Sequence, residues 1–197
     1  MSDKITLDTY ARVADEFDKT RQYQWKQVKE FVENIPTNTL NLDIGCGNGR
    51  NTSNTSAAFL STDIVEEMCF ICKNSNKEIV RHCATRLPFK NHIFDHILCI
   101  AVLHHIDCKY QMNVLKEMKR VLRINGTAII QVWAEGEKRH LGYNNIPWKG
   151  INNTGNRLYY IFGKQEFETL ILSEGFQILS SYEEHENWGV IISPLST

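Results

Sequence analysis

A chain of 197 residues, 42% hydrophobic and 23% charged, is long enough for one domain with a sizeable core and has the composition of a soluble globular protein. Its net charge of −1 excludes a surface that coats nucleic acid throughout, though not a local basic face. No apolar run approaches the ~18 residues of a membrane helix and no basic, apolar leader opens the chain, so neither membrane insertion nor secretion is expected. The six cysteines (46, 69, 72, 83, 99 and 108) mostly fall inside apolar segments, which suits reduced thiols in the cytoplasm or nucleus better than a disulfide framework.

Residues 1–33 are expected to be helical in two pieces. Leu7, Tyr10, Val13, Ala14 and Phe17 form one apolar stripe, and Trp25, Val28, Phe31 and Val32 resume it after Thr20-Arg21. Beyond Pro36, Leu40, Leu42 and Ile44 read as a buried strand that stops at Gly45, Gly47 and Gly49. Glycine permits positive φ and close backbone approach. A strand ending in such a turn presents backbone N–H groups at the carboxyl end of a sheet, where open α/β sheets bind ligands. The spacing is G-x-G-x-G, which is neither the dinucleotide fingerprint nor a P-loop. Asn51 to Ser56 is a poor helix former, so the link to the second strand, Phe59 to Ile64, is short and irregular. Ile64 to Lys73 is helical. Its Cys69-x-x-Cys72 has metal spacing, but no second pair answers it, and no metal site is expected.

Lys77 to Cys83 is a third strand, and Leu87-Pro88-Phe89 breaks the chain before a buried parallel strand, Asp95 to Ala101. Gln111, Leu115, Met118 and Leu122 mark a helix ending near Asn125-Gly126, followed by a strand from Thr127 to Ala134. Lys164 to Ser173 is a helix closed by Gly175. Phe176 to Tyr182 and Trp188 to Ile192 form a final antiparallel pair. The alternation predicts one α/β domain over 1–197, with a mostly parallel sheet, helices on both faces and right-handed crossovers. Residues 1–36 form a helical extension. Residues 135–163 are the one long irregular stretch, expected as a substrate-side lid or loop.

Four features fall at the carboxyl ends of successive strands. They are Asp43 with the turn Gly45-Cys46-Gly47-Asn48; Asp63-Ile64, whose acid is placed to accept ribose hydroxyls; Cys83-Ala84 ahead of Leu87-Pro88-Phe89; and Ala101-Val102-Leu103-His104-His105. Together they resemble the S-adenosylmethionine (SAM) methyltransferases of the Rossmann-like class I. Tyr10-x6-Phe17-x2-Thr20-Arg21-x3-Trp25, Val132-Trp133-Ala134, Arg157-x-Tyr159-Tyr160 and Asn187-Trp188 narrow the resemblance. They are similar to the eukaryotic tRNA methyltransferases that esterify 5-carboxymethyluridine at the wobble position, a domain also found fused to AlkB-like hydroxylases.

The resemblance implies a seven-stranded, mostly parallel sheet with one antiparallel strand. It implies SAM held by Tyr10, Asp43, Gly45, Cys46, Gly47, Asn48, Asp63, Ile64, Cys83, Ala84, Ala101 and Val102. Cys83 stands where the family carries an Asp that meets the adenine amino group. The transfer to a carboxylate needs no general base, because a carboxymethyl group with a pKa of ~4 is ionised at neutral pH. It does need a cationic partner, for which Arg21 is the first candidate, with His104 and His105 beside the reacting centre, one facing it and one packed.

Trp25, Trp133, Lys138, Arg139, Arg157 and Trp188 are the substrate-side candidates. Five basic residues against two acidic ones in 135–164 give a net of +3, interleaved with aromatics, which suits the anticodon loop of a tRNA. The third strand is expected at a sheet edge, where the resemblance implies a small zinc-binding activator protein as heterodimer partner. A small-molecule methyltransferase shares the core motifs. So does a SAM-binding scaffold without catalysis, which Cys83 favours slightly.

Overall fold

The computed structural model describes residues 3–150 and 155–195. Helix α1 (Lys4–Arg12) starts at Asp3, whose carboxylate accepts the N–H groups of Ile5 and Thr6. At Val13 the backbone leaves helical geometry (φ −105°, ψ 11°) and then resumes as α2 (Ala14–Thr20). The expected first helical piece is therefore two, because the stripe must turn to bury Val13 and Ala14. Helix α3 (Lys26–Glu33) has no local cap. Its first N–H groups, of Lys26 and Gln27, donate to the two carboxylate oxygens of Glu184 at 2.8 and 3.2 Å.

The remaining elements are β1 (Leu40–Ile44), β2 (Ala58–Asp63), α4 (Glu66–Asn74), β3 (Glu78–Arg81), β4 (Phe94–Ile100), α5 (Cys108–Val121), β5 (Leu122–Trp133), β6 (Gly142–Pro147), β7 (Asn156–Ile161), α6 (Lys164–Ser173), β8 (Phe176–Glu183) and β9 (Asn187–Pro194). Seven strands form one sheet in the order β3-β2-β1-β4-β5-β9-β8, and β9 alone runs against the others. That is the expected α/β sheet with one antiparallel strand. Strand β5 begins earlier than its pattern predicts: Leu122 pairs with Phe94, the chain bulges out, and pairing resumes at His96 with Thr127.

Burial on both faces explains the uninterrupted apolar run in β4. Ile97 and Cys99 pack on one side with Val114, Leu115 and Met118 of α5 and Phe167 and Ile171 of α6. Leu98 and Ile100 pack on the other with Val28 and Val32 of α3. Each such side chain contributes ~1.5–3 kcal/mol. Among the described residues no helix is long and apolar enough to cross a membrane.

The segment 135–163, expected as an irregular lid, carries a two-stranded sheet, β6 antiparallel to β7, with residues 151–154 outside the described residues. Its strand period is hidden in the sequence because the buried face of β7 carries Arg157, Tyr159 and Ile161, only one of them aliphatic. Helix α1 lies against β7. The Thr6 hydroxyl accepts the Leu158 N–H at 2.7 Å, and the Thr9 hydroxyl donates to the Asn156 carbonyl at 2.8 Å.

Glu184→Ala removes the only side-chain acceptor at the start of α3 among the described residues. It is expected to lower stability by ~0.5–2 kcal/mol in urea unfolding, and an unchanged midpoint would exclude the cap.

Candidate active site

The carboxyl ends of β1, β2 and β4 open into a cavity of about 770 Å³. The glycine turn after β1 forms its floor. Gly45 has φ +64°, and a Cβ there would stand 2.4 Å from Val102 Cγ2, so any side chain would be both strained and in collision. Gly47, at φ +57°, lets the Phe17 ring lie against the turn, and its N–H donates to Asp63 Oδ2 at 2.9 Å. Asp63 Oδ1 accepts the Val65 N–H at 2.9 Å. Burial raises the pKa of Asp63, opposed by these backbone hydrogen bonds. Asn48 ties the turn to α2 through Asp18 Oδ1 and the Arg21 carbonyl. Ala101, closing β4, takes φ +59°, a left-handed conformation unusual for a residue with a side chain.

The other end of the cavity is aromatic and cationic. His104 Nδ1 accepts the Trp133 backbone N–H at 2.9 Å. That nitrogen must keep its lone pair, so the ring is neutral and its proton sits on Nε2. His105 Nδ1 faces the Leu158 carbonyl at 3.3 Å and is the donor, which leaves Nε2 to accept the Tyr10 hydroxyl at 2.9 Å. Burial depresses both imidazoles, His105 to about 3 and His104 well below its ordinary value, where His105, Arg139 and Arg157 add to the effect. Neither histidine turns a free lone pair toward the cavity, and among the described residues the arrangement contains no general base at this end.

Trp133 stacks on Tyr159 with centroids 4.2 Å apart and planes 6° from parallel. The Arg139 guanidinium lies 4.7 Å over Trp133 and is bonded to Glu186. Arg157, 7% exposed, lies 4.9 Å from Trp148 and 5.2 Å from Tyr159. Arg21 stands at the exposed mouth, 5.4 Å from Trp148.

Residues 42–130 match a family described as a methyltransferase domain. The chain is 34% identical to a tRNA (carboxymethyluridine(34)-5-O)-methyltransferase of Arabidopsis thaliana over 133 residues, 66% of this chain and 33% of that one. A protein of the same name in Schizosaccharomyces pombe is 27% identical over 92% of both chains. The chain thus spans a third of the first relative and nearly all of the second. Among solved structures, the Haloferax volcanii Trm112 methyltransferase activator in complex with a putative methyltransferase matches at TM-score 0.76 and 12% identity, over 98% of this chain and 97% of that one, which shows the fold.

Eleven of the twelve expected cofactor positions line this cavity: Tyr10, Gly45, Cys46, Gly47, Asn48, Asp63, Ile64, Cys83, Ala84, Ala101 and Val102. Asp43 does not. It lies fully buried beneath the turn, with no partner for either carboxylate oxygen. Arg21, Trp25, Trp133, Arg157 and both His104 and His105 also line the cavity, so neither histidine is merely packed away from it.

Lys138, Arg139 and Trp188 are outside it. Lys138 is exposed, Arg139 backs Trp133, and the Trp188 indole N–H is taken by the Phe162 carbonyl at 3.1 Å. Met68, His82, Glu184 and His185 line the cavity without having been singled out, and Tyr159, quoted only within the Arg157-x-Tyr159-Tyr160 motif, lines it without having been given a role. Tyr159 shares the buried face of β7 with Arg157, two residues away, but a face made of Arg, Tyr and Ile gives no hydrophobic period, so only knowing that the segment is a strand would have paired them. The six cysteines are free thiols, and among the described residues no group of three or more potential ligands could hold a metal ion.

Burial raises the Asp43 pKa to about 7, with Lys77 opposing. The folded chain therefore binds this proton more tightly than the unfolded chain, and stability falls as pH rises from about 4 to about 7. The full penalty, of order 4 kcal/mol, applies above that window. Asp43→Asn is expected to be more stable than the original chain at pH 8, with the advantage shrinking toward pH 4. A difference in melting free energy that does not change with pH would exclude the assignment.

Proposed function

We propose that the chain transfers the methyl group of SAM to the carboxylate of 5-carboxymethyluridine at the tRNA wobble position, forming the methyl ester. The observation that carries this reading is the acceptor end of the cavity. It offers a buried cation, Arg157, and a neutral donor, His104, but, among the described residues, no base. An amine or hydroxyl acceptor has a proton to lose; a carboxylate has none. The relatives named for carboxymethyluridine support the same substrate.

The residues at the turn fit the cofactor. Asp63 keeps acceptor capacity toward ribose hydroxyls after taking two backbone N–H groups. Gly45 leaves the space that a Cβ would fill against Val102. Cys83 lines the cavity with its thiol 3.1 Å from the Thr85 hydroxyl, so the position offers a weak donor where an Asp would offer an acceptor. Held there, SAM would supply an electrophilic methyl for a carboxylate oxygen, with the carbon–sulfur electron pair left on sulfur and no proton to be moved. The chain's residues bind and align the acceptor, exclude water and balance its charge. Alignment of this kind can account for ~7–11 kcal/mol of a barrier.

Trp133 has Tyr159 on one face and Arg139 on the other, so it walls the pocket and has no face free for a base. Trp25, half-buried on the cavity lining with its indole nitrogen unpartnered among the described residues, is the ring we assign to meet the uracil. Arg21 and the basic hairpin would meet the anticodon loop. Free thiols fit a reducing compartment, the cytoplasm.

Among the described residues strand β3 pairs only with β2, and Phe70 on the neighbouring α4 is 58% exposed. We place a small zinc-binding activator on that edge, as a heterodimer. The Haloferax complex with an activator supports this class of partner.

Mass spectrometry of nucleosides from tRNA incubated with SAM, the chain and a candidate activator tests the reading. Carboxymethyluridine is expected to convert to its methyl ester, fastest with the activator present. Methylation of small molecules alone, with the tRNA nucleoside unchanged, would end it.

A further inference from the structure

Two buried donors at the aromatic end of the cavity have nothing to donate to. His104 is 1% exposed and Arg157 7%. The Nε2 of one and the Nε of the other have no partner, and both residues line the cavity. For His104 the donor role follows from geometry. The Trp133 N–H occupies Nδ1, so the ring's single proton is on Nε2. For Arg157, Nη2 donates to the Pro147 carbonyl at 3.3 Å, and no carboxylate forms an ion pair with the guanidinium among the described residues. It is surrounded instead by the rings of Trp148, Tyr159 and Tyr10. Leaving such donors buried and unpaired destabilises the chain. A group of this kind in a native fold calls for an explanation, and a ligand that supplies the acceptor is one.

We infer that Arg157 Nε–H and His104 Nε2–H form a two-donor receptor for the acceptor carboxylate, one oxygen to each, and that the pair selects the acid over the corresponding amide. This rests on the carboxylate reading of the site proposed above. Both groups pack against the same ring. The His104 centroid lies 5.1 Å and the Arg157 Cζ 5.2 Å from the centre of Tyr159. A carboxylate presents acceptors only. A carbamoylmethyl group must turn its NH2 toward one of the two donors and carries no charge for the guanidinium. Arg21 offers no such selection, because its side chain is exposed and Nη1 is bonded to the Thr20 hydroxyl at 2.9 Å. After transfer the acceptor is a neutral ester, which the receptor holds less tightly, so the same contacts that admit the substrate let the product go.

The test uses the full chain saturated with S-adenosylhomocysteine. It measures binding of two labelled anticodon stem-loops that differ only in carrying 5-carboxymethyluridine or 5-carbamoylmethyluridine. The acid is expected to bind roughly 10- to 100-fold more tightly. Arg157→Met and His104→Leu should each shrink that ratio several-fold while S-adenosylhomocysteine affinity is kept. His104→Gln, which retains an N–H donor, should recover part of it. Equal binding of acid and amide by the original chain overturns the receptor, without recourse to any variant. So does an undiminished ratio in both truncated variants. A chain that discriminates acid from amide yet never methylates the acid overturns the proposed function and leaves the receptor standing. One that methylates without discriminating does the reverse.

Discussion

Between β1 and β4 the chain changes the direction in which it lays down parallel strands. From β1 it works outward to β2 and β3, then returns to place β4 on β1's other side. The connections leaving β1 and β4 must therefore part, and the gap they leave at the carboxyl ends cannot be filled by a crossover helix. Everything at the site answers to that gap. The glycine turn covers its floor, with Val102 against Gly45. Asp63 reaches across from β2 to fasten the turn. Ala101 takes a left-handed conformation so that the chain leaving β4 can swing both histidines over the opening.

A crevice of this kind binds a cofactor but does not by itself hold an acceptor. Here the acceptor end is assembled from two segments more than a hundred residues apart. Helix α1 grips β7 through Thr6 and Thr9, and Tyr10, one turn on, reaches His105. The hairpin in turn brings Arg157 and Tyr159 under α1 and beside Trp133. The β8–β9 turn adds a third tie, with Glu184 capping α3 and Glu186 holding Arg139 behind Trp133. The extension and the hairpin are thus one structural unit, and a change in either should be felt at His105.

The sheet was legible because its signals are local. Apolar runs, glycines and strand-end acids follow from chemistry within a few residues, and Gly45, Asp63, Ala84 and Ala101 meet where their strand ends predict. The acceptor end was legible only in part. Its residues are paired by contacts that no window of sequence contains. Arg139 and Arg157 look alike as basic residues in one segment, yet one finds a carboxylate and the other does not. Trp188 reads like Trp25 until the Phe162 carbonyl takes its N–H. Tyr159 escaped because a strand face made of Arg, Tyr and Ile has no hydrophobic period to detect.

For the carboxylate acceptor we propose, a site with a cation and donors but, among the described residues, no base meets a conflict that its construction resolves. Stripping water from a carboxylate is costly, and strong donors that offset the cost also quiet the oxygen that must attack. A mobile, fully solvated lysine would leave the cost to be met at each turnover. Arg157 is instead fixed by three rings, and His104 by a backbone N–H, before any substrate arrives. The ordering is already complete in the folded chain, as preorganised electrostatics require. The donors are also neutral or delocalised rather than compact charges, which restrains how far they quiet the nucleophile. The penalty for keeping them unpaired falls on the stability of the fold, where the sheet's doubly buried core can carry it, rather than on the barrier to transfer.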